Sequence, residues 1–203
     1  MNARARLSIS LLSALACGAG ALPASAAAQT PDDLREARTR GSATAPVTMY
    51  IMSDFECPYC GDFARGTFQT IEREYVETGR MKVVFVNFPL TSIHPNAEPA
   101  AEVAMCAARQ NKFWAMHDLL FRHQERLKER RLHRYADELE LDIVRFEADM
   151  KEQAYLQRIR EHIDEARKSG ARGTPTFFLN DRIFDVSFGL QRLHDTVEKL
   201  TGA

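Results

Sequence analysis

The chain has 203 residues, 45% of them hydrophobic and 27% charged, with a formal net charge of −1. That length suits one core-bearing domain and is marginal for two. The near balance of charge excludes the basic footprint of a nucleic-acid or anionic-membrane binder, and four cysteines are too few for a disulfide-scaffolded fold.

At the N-terminus, Arg4 and Arg6 form a positive region and residues 7–16 an apolar segment too short to span a bilayer. Small residues follow at Ala24-Ser25-Ala26-Ala27-Ala28. This pattern predicts a cleaved export signal over residues 1–28 and a periplasmic product. Lipid anchoring at Cys17 is the weaker reading, because Ala14 stands where a bulky aliphatic residue is expected and good cleavage sites lie beyond. Loss of the signal takes Cys17 with it and leaves Cys57, Cys60 and Cys106. An odd count in an exported chain leaves at least one thiol outside any internal pair. Residues 29–44 read as an N-terminal extension, with a short helix over residues 32–38 and then a loop through Gly41-Ser42.

Ala45-Pro46 opens a hydrophobic run, residues 47–52, predicted as the first strand. Ser53 to Glu56 lead into Cys57-Pro58-Tyr59-Cys60. An amphipathic run with Phe63, Phe68, Ile71 and Tyr75 on one stripe predicts a helix ending near Thr78-Gly79. Residues 82–88, nearly continuous in Val and Phe, predict a strand buried on both faces. Helical signals then fill the chain: residues 97–110, carrying Cys106; residues 113 to about 130, with Trp114 and His117; residues 132–139; residues 143–150; and residues 153–169. Strand signals return over residues 175–179 and 182–186, joined by the two-residue turn Asn180-Asp181, and residues 190–200 close the chain as a helix. The order reads as an α/β fold with an inserted all-helical subdomain: a first part over residues 45–93, the insert over 94–170 and a second part over 171–203.

A Cys-x-x-Cys pair between a strand and a helix reads as a redox dithiol. Two intervening residues put both sulfurs on the first helical turn. There the unpaired N–H groups and the helix dipole favour a thiolate on the first of them. Pro58 suits that turn, because its missing N–H would have no intrahelical partner. Cys57 is the candidate attacking sulfur and Cys60 the resolving one.

Ala45-Pro46-Val47-Thr48, Ser53-Asp54-Phe55-Glu56-Cys57-Pro58-Tyr59-Cys60, His94-Pro95-Asn96-Ala97, Lys112-Phe113-Trp114, His117-Asp118 and Gly173-Thr174-Pro175-Thr176-Phe177-Phe178 together resemble the thioredoxin superfamily. Specifically, they resemble its DsbA-like branch of exported thiol–disulfide oxidoreductases. The resemblance covers nearly everything from Ala45 onward. It implies a thioredoxin fold (βαβ, then ββα) and a redox disulfide Cys57–Cys60 that introduces disulfides into exported proteins. It also implies a cis-proline at Pro175 facing the dithiol, with Thr174 in the same pocket and Pro58 and Tyr59 as supporting residues. The partners implied are cysteine-containing exported proteins and a membrane redox protein that recycles the dithiol. No cofactor, resident metal or nucleic acid is implied, and the expected state is a monomer.

The dipeptide departs from the best-known DsbA pattern, which has Pro-His where this chain has Pro-Tyr. A neutral Tyr59 hydroxyl is a weaker thiolate partner than a histidine, and a less stabilised thiolate makes a less oxidising disulfide. A disulfide reductase or isomerase with the same dithiol therefore stays open. So does a thioredoxin-fold module binding a soft ion such as Cu(I), although no second Cys-x-x-Cys accompanies the first. Asp54 is a further candidate, as a proton relay for Cys60. Glu56 reads as a solvated loop acid, Cys106 as an inert buried thiol, and His94 as a residue at a helix start. Basic residues between Arg126 and Arg134 alternate with Glu125, Glu129 and Asp137, as on a solvated helix face.

Overall fold

The buried hydrophobic runs pair as their composition demands. In the computed structural model, which describes residues 34–185 and 190–202, β2 (Val47–Ser53) lies parallel to β3 (Met81–Asn87), in the register Val47 opposite Met81 through Ser53 opposite Asn87. A parallel pair needs a crossover. Here α2 (Pro58–Arg65), α3 (Thr67–Ile71) and a π-turn over Glu72–Val76 supply it. β4 (Thr176–Leu179) adds antiparallel to the free side of β2, and β5 (Arg182–Phe184) pairs with β4 through the Asn180-Asp181 turn. Asn180 takes the positive φ (55°) that the turn requires, and its carboxamide oxygen accepts the Thr48 N–H at 2.9 Å.

With β1 (Thr39–Arg40) at the edge beside β3, the sheet order is β1-β3-β2-β4-β5. Alternation along the strands divides two cores. One face gathers Met49, Ile51, Val83 and Phe177 against Phe63, Ile71 and Tyr75 of the crossover and Val197 of α9 (Leu190–Thr201). On the other, Met52, Val84 and Phe178 meet Ala166 of α8 (Leu156–Lys168).

Between β3 and β4 the chain inserts five helices: α4 (Ala97–Ala108), α5 (Phe113–Arg122), α6 (Glu129–Glu138), α7 (Ile143–Lys151) and α8. α4 is buried along almost its whole circumference, as expected of a helix apolar all round. Its alanines let the surrounding helices approach closely. α5 faces the sheet. Phe85 of β3 stacks on Phe55 with ring centres 5.0 Å apart, and the His117 ring stands edge-on to both. Asp142 caps α7, accepting the Arg145 N–H at 3.1 Å.

Four features depart from the sequence expectations. The segment read as helix then loop holds the short α1 (Leu34–Ala37) and then a strand, β1 (Thr39–Arg40), antiparallel to β3. A sheet edge supplies backbone partners to any extended neighbour, so no hydrophobic pattern was needed. The helix after the dithiol breaks at Gly66 and ends in the π-turn, where Glu77 N–H reaches Glu72 C=O at 2.9 Å. The expected helix from 113 to about 130 stops at Arg122, and a turn precedes α6. The last insert helix begins at Leu156 rather than 153. The expected export signal, Cys17 and Val186 lie outside the described residues.

Phe85 is 1% exposed at the junction of sheet and insert, whereas Val144 on α7 is 81% exposed. Phe85→Ala is expected to lower the unfolding free energy by about 3–5 kcal/mol, and Val144→Ala by less than about 0.5 kcal/mol. Urea titration of the two variants measures both.

Candidate active site

β2 delivers the chain to a buried turn, and the turn delivers it to α2. Ser53 and Asp54 are buried at the strand end, and the Cys57 N–H donates to Asp54 C=O at 3.2 Å. Cys57 is the N-cap of α2 with extended geometry, Pro58 occupies the first turn, and Gly61 N–H donates to Cys57 C=O at 3.1 Å. The sulfurs thus sit where helix N–H groups have no intrahelical acceptor.

Both thiols are free, yet their environments differ sharply. The Cys57 thiol is lowered to about 5, chiefly because the Cys60 S–H donates to it. Burial opposes this shift. The otherwise unpartnered Thr174 hydroxyl and the backbone N–H groups of Cys60 and Tyr59 assist it. Cys60 moves the opposite way. Burial, then its role as donor to Cys57, pushes its thiol far up, against a smaller pull from the Ser53 hydroxyl and the Asp54 backbone. One thiolate and one retained proton are shared by the pair.

The loop before β4 closes the site. The Thr174–Pro175 peptide is cis, and the Cys57 Sγ lies 3.3 Å from Thr174 C=O. The Tyr59 ring is 74% exposed. Its backbone N–H, rather than its hydroxyl, favours the Cys57 thiolate. The stabilisation expected to depend on the second dipeptide side chain therefore comes from Cys60, Thr174 and the helix amides.

The two acids before the dithiol are both engaged. Asp54 accepts the N–H groups of Glu56 at 2.7 Å and Leu90 at 2.8 Å, and contacts His94 Nδ1 at 2.8 Å. Glu56, expected as a solvated acid, accepts the Asn96 backbone N–H and carboxamide at 2.6 Å each. Together they tie the loop leading into α4 to the active turn. Their neighbourhood gives His94 a partner that its position ahead of Pro95 did not suggest. Cys106 lies in the insert, where burial, with Asp149 and Glu102 adding to it, pushes its thiol up.

Two residues of the site escaped the sequence reading. Ser53 is visible only as the last residue of a strand whose far end meets Cys60. Gln124, in the turn after α5, donates to Phe55 C=O at 2.9 Å and Cys57 C=O at 2.7 Å. Nothing in its local sequence marks it.

A parallel–antiparallel sheet, a dithiol at a helix start, a facing cis X–Pro and a helical insert define a thioredoxin-fold chain of the dithiol class. A family model described as Thioredoxin matches residues 34–199, and the chain belongs to that family. Among solved structures, oxidised BdbD from Bacillus subtilis shares the fold with a TM-score of 0.73 at 22% identity, over 82% of this chain and 93% of that one. Alpha-DsbA1 from Wolbachia pipientis aligns with a TM-score of 0.67 at 22% identity, over 81% and 90%. DsbA from Chlamydia trachomatis gives 0.67 at 16% identity, over 81% and 91%. Curated relatives include the Na(+)/H(+) antiporter NhaA 3 of Salinispora tropica, 39% identical over 82% of this chain, and NhaA of Herminiimonas arsenicoxydans, 34% identical over 76%. The chain spans about a quarter of the length of these relatives (25% and 24%).

The Cys57 thiol is lowered from 9.0 to about 5 in the folded reduced chain. An acid with a depressed folded value contributes stability above its unfolded value and loses it as pH falls through the folded one. Cys60, with a raised value, contributes below 9.0 and loses above it. The stability gap between the reduced chain and Cys57→Ala is therefore expected to widen from pH 5 to pH 9, as followed by thermal unfolding at a series of pH values. Asp54→Ala leaves two part-buried N–H donors and the His94 ring without their partner and is expected to cost about 1–3 kcal/mol, read by urea titration. A proton-relay role for Asp54 would add a fall in the rate of mixed-disulfide release, read by quenched-flow thiol trapping under conditions where the variant stays folded.

Proposed function

We propose that the chain is an exported thiol–disulfide oxidoreductase that passes the Cys57–Cys60 disulfide to cysteine-containing proteins. The observation that carries this reading is the asymmetry of the pair, one thiol held near 5 and its partner held protonated. In the exchange, a substrate thiolate attacks Cys57 Sγ. The Cys57–Cys60 bond breaks, and its electron pair leaves on Cys60 Sγ, which takes up a proton. The substrate's second thiolate then attacks its own sulfur in the mixed disulfide and expels Cys57 as thiolate. The substrate loses two electrons and the dithiol gains them.

The direction follows from the leaving group. A thiolate stabilised in the reduced form makes the disulfide more oxidising. A value near 5 lies between about 7 for thioredoxin and about 3.5 for DsbA. Reduction or isomerisation by the same cysteines is the second reading, favoured by the Pro-Tyr dipeptide. Soft-metal binding by the two thiolates stands behind both, since no second Cys-x-x-Cys accompanies the first.

An extended substrate backbone is proposed to pair beside Pro175, which sets its cysteine over Cys57. Residues 1–28 are proposed as the cleaved signal that delivers the protein to the periplasm. A membrane redox protein is proposed to re-oxidise the dithiol, and the working unit is proposed as a monomer.

Acid-quenched thiol trapping in cells is expected to find Cys57–Cys60 mostly oxidised, and Cys60→Ser to accumulate mixed disulfides on Cys57. A pair found mostly reduced at steady state would sink the donating direction and favour the reductase reading.

A further inference from the structure

From the insert, Gln124 reaches the backbone of the dithiol. Gln124 spends both amide hydrogens on the active turn, one on Phe55 C=O and one on Cys57 C=O. The Cys57 carbonyl also accepts the Gly61 N–H at 3.1 Å, so the acceptor that starts α2 is gripped from two sides. The oxygen end of the same amide lies over Gly61, where an added Cβ would stand 2.2 Å from Gln124 Oε1. Arg65, one turn further along α2, donates to Phe121 C=O at 2.7 Å and reaches Gln124 Oε1 at 3.5 Å. The end of α5, the turn after it and the first two turns of α2 thus form one hydrogen-bonded unit.

We propose that Gln124 is a positioning residue for the disulfide exchange. By clamping the Cys57 and Phe55 carbonyls, it keeps the Tyr59 and Cys60 N–H groups aimed at the Cys57 sulfur and so sets how well Cys57 leaves as a thiolate. Two effects act in the same direction. Fixing the N-cap carbonyl holds the Cys57–Pro58 peptide, which opens the helical turn carrying the Tyr59 and Cys60 N–H groups, and preoriented dipoles stabilise charge without reorganisation. The donor end of the Gln124 amide also adds positive potential at the same helix start. Gly61 belongs to the device, since any side chain at that position meets the Gln124 amide. The proposal rests on the reading of Cys57 as the reactive thiol.

The test titrates Cys57 in the reduced full chain by thiolate absorbance, with the equilibrium against glutathione as a second readout. Gln124→Met keeps length and volume while removing both donors. It is expected to raise the titration midpoint by about one pH unit, a tenfold change in the thiolate–thiol ratio, and to shift the glutathione equilibrium toward the disulfide. Gly61→Ala is expected to do the same by displacing the amide. In a Gln124→Ala background, Gly61→Ala is expected to add little, because the methyl then meets only the flexible end of Arg65, at 2.7 and 2.9 Å, which can turn aside. If Gln124→Met folds poorly, Gln124→Asn keeps the amide but places it one methylene short of both carbonyls, and the same rise is expected. A folded variant with lowered stability but unchanged midpoint and unchanged glutathione equilibrium would overturn the positioning role and leave Gln124 as packing. A parent chain without an acidic Cys57 midpoint would instead overturn the reading of the dithiol on which the proposal stands.

Discussion

Everything near the dithiol depends on one proton being held in one place. Cys57 and Cys60 are two residues apart on the same helical turn, yet one thiol is lowered to about 5 and the other pushed far up. Helix N–H groups alone would favour both sulfurs to some degree. The difference comes from burial: Cys60 points into the protein behind Cys57, where charging it costs too much, so its S–H becomes the donor that stabilises the neighbour. Ser53 and the Asp54 backbone soften that cost without reversing it. The reduced pair is thereby a single device, a leaving group in front and a proton reservoir behind.

Holding that device in register needs support on three sides. From the strand side, Asp54 gathers N–H groups from the active turn and from the loop after β3, and Glu56 holds Asn96 at the entrance to α4. From the α2 side, Arg65 satisfies the Phe121 carbonyl at the end of α5, one of the acceptors that a helix C-terminus leaves open. From beneath, Phe55 is wedged among Phe85, His117 and Phe121. Burial among these rings pushes the His117 imidazole down in pKa, and its Nδ1 contacts Asp118 Oδ1 at 2.8 Å. That depression keeps the ring apolar enough to serve as core. The helical insert is therefore more than a cover over a sheet: it supplies the walls against which the active turn is braced.

Much of this was legible in the sequence, because long patterns and short motifs both carry physical constraints. The Val/Phe run over residues 82–88 read as a buried strand and the Ala-rich run from Ala97 as a helix, and the fold has both. Cys57, Cys60, Thr174 and Pro175 were named from spacing and resemblance, and the fold brings them together at one end of the sheet. What the sequence hid is what depends on partners distant in the chain. β1 is two residues long and owes its conformation to the edge of β3. Glu56 read as a solvated acid because Asn96 lies 40 positions away. Gln124 lay inside an expected helix, which ends early at a position with no glycine or proline to announce it. Local rules read elements well; hydrogen bonds across the fold leave little local trace.

The dipeptide between the cysteines shows where local inference misjudges a balance. The sequence comparison of Tyr59 with a histidine weighs one side chain against another, as though the second residue were the thiolate's main support. In the fold that side chain faces solvent, where a hydrogen bond or charge would be weakened by water, and the supports that count are fixed: the Cys60 S–H, the Thr174 hydroxyl and two helix N–H groups. A preoriented N–H beside a buried sulfur outweighs an exposed hydroxyl in water, because it has no orientation left to lose. The acidity of Cys57 is thus a property of the helix start and of what fixes its orientation. Tuning by the dipeptide acts on top of a thiolate that the fold has already made.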